Sequence, residues 1–100
     1  SIRLQLMDNA TALVHWNLSR RKFEQISAGN RIKSDVNQVV LRITEAGTDV
    51  HHSDIGVKTI TGQYKFQPKP HHIYYISLGI KHQKMFIPLL TSDTISVPIT

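Results

Sequence analysis

Six histidines, at positions 15, 51, 52, 71, 72 and 82, have the widest chemical range of any residues in this chain. An imidazole can bind a metal or carry a proton near neutral pH. Four of them form the adjacent pairs His51-His52 and His71-His72. Neighbours on an extended chain point to opposite faces, so neither pair can chelate one ion by itself. A metal site would need His51 or His52 to meet His71 or His72 across strands, with Asp49 or Asp54 as an oxygen ligand. We expect surface histidines, no metal and no cofactor. His52, Ser53 and Asp54 supply the residue types of a hydrolytic triad. A triad converges from separated positions, whereas three consecutive extended residues diverge. The chain has no nucleophile elbow, phosphate loop, dinucleotide fingerprint or HExxH. Its seven carboxylates stand singly, with no close pair suited to glycoside hydrolysis. These residue types argue against an enzyme.

Charge is more informative. The formal net charge is +5 over 100 residues. Between Ser19 and Lys33, Arg20, Arg21, Lys22, Arg31 and Lys33 stand against Glu24 alone, so five minus one places +4 in that stretch. A local excess of this kind attracts polyanions and acidic protein surfaces. The expected partner is therefore a protein or a polyanion, nucleic acid included, bound at those five residues. The competing class is a carbohydrate-binding accessory domain, for which Trp16, Tyr64, Tyr74 and Tyr75 are the available rings. Sugar binding of that kind needs exposed, roughly coplanar rings, and the patterning below turns Trp16, Tyr64 and Tyr74 inward. That favours the basic patch.

The elements that must position these residues read mostly at period two. The longest alternation is the stretch 71–80, with His72, Tyr74, Ile76, Leu78 and Ile80 on one side. Strand patterns also cover Ile2 to Met7, Thr11 to Leu18, Val36 to Thr44 and Gly62 to Phe66, with weaker edge strands in Val50 to Ile60. Met85 to Leu90 is a further strand, and Pro88 sets it at an edge or a bulge. The stretch 94–100 is extended. Turns are expected at 8–10, at 45–48 and at 81–84.

One segment changes period. Ser19 to Ala28 predicts a short helix, with Ser19 as N-cap, Phe23 and Ile26 as anchors and Gly29-Asn30 as its end. Three cations in its first turn oppose the helix dipole. Seven or eight short strands and one helix predict an all-β fold. The expected form is a two-sheet immunoglobulin-like sandwich with the helix inserted after the second strand. Trp16, Val39, Leu41, Ile43, Tyr74, Ile76 and Leu78 are the expected core. Tyr74, after Pro68 and Pro70, is a candidate tyrosine corner as well as an apolar-face residue.

Leu6-Met7-Asp8 and the stretch from Ala12 to Ser19 resemble the opening of an uncharacterised bacterial domain family. Tyr74, Leu78-Gly79, Phe86-Ile87-Pro88-Leu89, Ser92-Asp93 and Pro98 resemble its end, in order and spacing. The resemblance implies an all-β immunoglobulin-like fold of unknown function, and some family members stand beside nucleic-acid-binding or carbohydrate-active domains. Asn17 and Asp93 depart from the family's usual Glu and Asn.

Length and composition set the frame. One hundred residues make a single domain with a modest core. The chain opens without an initiator Met and enters a strand at once, as a processed or excised domain does. The absence of cysteine excludes disulfides and thiolate chemistry, and favours a cytoplasmic, reducing setting. No apolar run has the length of a membrane-spanning helix.

Overall fold

The computed structural model describes residues 1–8, 10–47 and 49–98. Eight strands form there: β1 (Ile2–Leu6), β2 (Ala12–Asn17), β3 (Val39–Ala46), β4 (His51–Gly56), β5 (Thr61–Phe66), β6 (Ile73–His82), β7 (Met85–Thr91) and β8 (Ile95–Ser96). The helix α1 (Arg20–Gly29) follows β2, and a 3-10 turn (Val36–Gln38) leads into β3. The strands make two antiparallel sheets, in the orders β1-β2-β5 and β4-β3-β6-β7, with β8 also on β6. This is an immunoglobulin-like sandwich in which the fourth strand joins the sheet of the third. Among the described residues, no helix is long and apolar enough to cross a membrane.

The inward positions fill the space between the sheets. Trp16, Val39, Leu41, Ile76 and Leu78 are buried as expected, while Ile43 is half-buried. Each fully buried large apolar side chain contributes about 1.5–3 kcal/mol. Tyr74 is both a core residue and a corner: it is buried, and its hydroxyl accepts a 2.9 Å hydrogen bond from the Lys69 amide. Pro88 lies on the edge strand β7, at a register shift opposite Leu78 and Gly79. Ser92 then links β7 to β8. Its amide donates to the Ile76 carbonyl, and its hydroxyl accepts from the Ile76 amide at 2.9 Å.

Three boundaries differ from the sequence expectation. The strand expected from Val36 starts at Val39, because the Asp35 carboxylate accepts from the Asn37 amide and caps the 3-10 turn. The turn expected at 45–48 starts later, since Glu45 and Ala46 pair with Tyr74 and Ile73 in β6; Thr48 lies outside the described residues. Lys81 and His82 continue β6, so the hairpin turn shrinks to Gln83-Lys84. In the first case a local cap overrides the strand pattern, and in the other two a ladder partner overrides local turn preference.

Candidate functional site

The basic segment is built on α1. The Ser19 hydroxyl accepts from the Lys22 amide at 3.1 Å, the expected N-cap. Phe23 is fully buried among the core side chains. Ser27, one turn later, is buried as well, with its hydroxyl donating to the Phe23 carbonyl at 2.8 Å. Ile26 is only half-buried, so Phe23 and Ser27 mark the inward stripe of the helix. That stripe fixes the helix's rotation. Arg21, two positions before Phe23, lies about 200° round the axis and points away from the core. Arg20 and Lys22 flank it.

The helix ends at Gly29 with Asn30 as its C-cap, as expected, but the glycine does not take the left-handed closing position. Gly29 is helical, and the left-handed residue is Arg31, with φ 58°. The Arg31 amide donates to the Ala28 carbonyl and the Ile32 amide to the Ser27 carbonyl, both at 3.0 Å. This is a Schellman closure, with Ile32 packing back on the core. Glycine usually fills that position, because a side chain there costs about 1–2 kcal/mol. Here an arginine fills it.

Arg20, Arg21, Lys22, Arg31 and Lys33 are all exposed. Among the described residues none of them forms an ion pair. Asp35, the next acid along the chain, is engaged as the cap of the 3-10 turn.

The outer face of the five-stranded sheet is the opposite case, and sequence reasoning missed it. Arg42 faces Asp54 across the β3–β4 ladder and donates to it from two nitrogens, at 2.8 and 3.0 Å. Lys81 donates to the same carboxylate at 2.9 Å. The Arg42 guanidinium also sits 3.9 Å from the centre of the Phe86 ring. Gly79 makes room for that ring: a methyl there would meet it at 2.3 Å. The Asp54 carboxyl is lowered to about 2, first by the Arg42 hydrogen bond, against partial burial and with help from Lys81. The same pairing raises Arg42. Asp54 is thereby committed to its ion pairs. Ser53, between His52 and Asp54, projects to the other face, so the three triad-type residues do not converge.

The histidine pairs do approach each other at one end of the sandwich. A depression of about 520 Å³ is lined by Glu45, Asp49, His51, Lys69, His71 and His72. The Glu45 carboxylate is hydrogen-bonded to His72 Nδ1 and lies 4.0 Å from Lys69 Nζ. Among the described residues no three His, Asp or Glu side chains are placed to hold a metal ion. His82 instead bonds Gln38 at 2.9 Å.

A third surface is the outer face of the three-stranded sheet. Its cross-strand rows are Arg3–His15–Gln63, Gln5–Leu13–Lys65 and, at the end nearest α1, Asn17–Thr61. No Asp or Glu occupies an outward position on these strands. The signal was present in the sequence, but it is scattered over three segments that only the pairing brings together. Comparisons with family models, with curated proteins and with solved structures found no match to this chain.

Proposed function

We propose that this domain is a non-catalytic interaction module whose basic helix and following loop engage a negatively charged partner. The observation that carries the reading is Arg31. A cation holds the left-handed closing position that glycine would occupy with less strain, beside four other exposed cations without ion pairs among the described residues. Strain kept at a charged surface position is a pointer to function. An aromatic sugar platform has less support. Trp16 and Tyr74 are buried, and the partly exposed Tyr64 and Tyr75 belong to different sheets. A reducing, cytoplasmic setting is a separate expectation that rests on the cysteine count alone.

The test is a titration of single- and double-stranded oligonucleotides at two salt concentrations. Each neutralised phosphate contributes about 0.7–0.9 to the log–log salt slope, so five cations set an upper slope of about four. The Arg21→Glu/Lys22→Glu variant should lose the binding. Equal affinities for variant and wild type would remove the patch from consideration.

A further inference from the structure

The outer face of the three-stranded sheet lies where β2 leads, through Leu18 and Ser19, into the basic first turn of α1. Around the buried Leu13, its rows present two kinds of exposed group. Arg3 and Lys65 are fixed cations, while Gln5, His15 and Gln63 are polar side chains. All five are exposed. Among the described residues, Arg3, His15 and Gln63 make no side-chain hydrogen bond or ion pair. Asn17 and Thr61, by contrast, are fixed to each other at 3.1 Å.

Between the first and last of these rows is a depression of about 490 Å³, lined by Arg3, His15, Asn17, Thr61 and Gln63. That volume falls within the range of about 300–1,000 Å³ usual for small-ligand sites. Trp16 backs it. The indole lies so close beneath the β5 backbone that a methyl on Gly62 would meet it at 2.9 Å.

The chemistry of the rows selects among polyanions. Arginine and lysine only donate, whereas the glutamine amides both donate and accept. A DNA backbone offers acceptors alone, so the amide oxygens would stay unmatched. Successive bases would need several exposed rings to stack on, and the outward positions of this sheet hold only the His15 imidazole. A sugar chain bearing acidic groups offers anions to the cations and hydroxyls to the amides.

We propose that this face is a recognition site for an anionic polysaccharide, a chain of sugars bearing sulfate or uronate groups. The proposal rests on the reading of the domain as a basic interaction module. The α1 cations supply general attraction, and the sheet face supplies selection by Arg3 and Gln63. It also sets the domain outside the cytoplasm, against the expectation drawn from the absent cysteines. That expectation has no other support, since a chain that folds without disulfides is compatible with either compartment.

The experiment measures binding of a heparin dodecasaccharide, of neutral dextran and of oligo(dT) at physiological ionic strength. Intrinsic emission of Trp16, the single tryptophan, is followed alongside calorimetry. Heparin should bind the wild type and shift the Trp16 emission, and dextran should do neither. Arg3→Ala should weaken heparin binding about tenfold and the charge-neutral Gln63→Ala about fivefold, as lost charge-assisted and neutral hydrogen bonds imply. Oligo(dT) affinity should be unchanged in Gln63→Ala.

Heparin binding insensitive to both substitutions but abolished by Arg21→Glu/Lys22→Glu would overturn the sheet-face site and leave the module reading intact. The same conclusion follows if oligo(dT) binds and heparin does not, or if Gln63→Ala weakens both alike. A wild-type protein that binds neither polyanion would overturn both readings. Arg3 and Gln63 are exposed, so unchanged thermal midpoints should accompany Arg3→Ala and Gln63→Ala.

Discussion

Two cationic regions of this molecule follow opposite rules. On the outer face of the five-stranded sheet, Arg42 and Lys81 converge on the Asp54 carboxylate, and Arg42 also lies over the Phe86 ring. On α1 and the loop after it, five exposed cations have no ion pair among the described residues. The first arrangement is closed: donors and acceptor are matched across strands, and a partner would have to break those bonds. The second is open, and it works against local stability, since cations at a helix N-terminus and a side chain in a left-handed position are both unfavourable. Charge used by the fold is paired, while charge left unpaired at a local cost is available to something else.

The sharpest way to break this comparison is to release the helix. Phe23→Ala should destabilise the domain by about 3 kcal/mol, because the ring is fully buried and the helix has little local preference of its own. Urea denaturation measures it. A loss below roughly 1 kcal/mol would show that the basic segment is not anchored as described.

The closed region should answer to acid. Asp54 has its carboxyl lowered in the folded state from 3.8 to about 2. Its contribution is therefore complete above the unfolded value and is lost as pH falls from about 4 towards 2. After allowance for solvent screening at this partly exposed pair, that contribution is about 1–2 kcal/mol. Asp54→Asn should lose a similar amount at pH 7 and show a smaller further decline on acidification. Parallel pH–stability curves for the two proteins would mean the triplet contributes nothing to folding.

The open region should respond with the opposite sign. Arg31→Gly removes the strained side chain and should stabilise the domain by about 1 kcal/mol while weakening polyanion binding. A destabilised variant would show that the arginine stem packs in the fold. The smallest effect is expected from Arg21→Glu/Lys22→Glu. Acids in the first helical turn favour the dipole, so thermal stability should rise by a few tenths of a kcal/mol even as binding is lost. A clear loss of stability would place these cations in the fold's own electrostatics, as in the closed region.

Residues close in the chain carried most of what could be read without the fold. Alternation marked Trp16, Leu41, Ile76 and Leu78 as inward because a strand's period is fixed by backbone geometry, whatever it packs against. The cap at Ser19, the corner at Tyr74 and the edge position of Pro88 are likewise local chemistry. So is the clustering of Arg20, Arg21, Lys22, Arg31 and Lys33 within fifteen residues. The sequence by itself therefore determined the strands, the helix and the place of the basic excess.

Pairing across strands was decided only in three dimensions. Arg42 and Asp54 are separated by 12 residues, and Asp54 and Lys81 by 27, yet they meet because β4 and β6 flank β3. Arg3, His15 and Gln63 form one row for the same reason, and Ile32 packing on the core sets Arg31, not Gly29, in the left-handed turn. Outward residues carry no hydrophobic signal that fixes their neighbours. Whether a surface charge is paired or open depends on strand order and register, which the tertiary structure alone supplies.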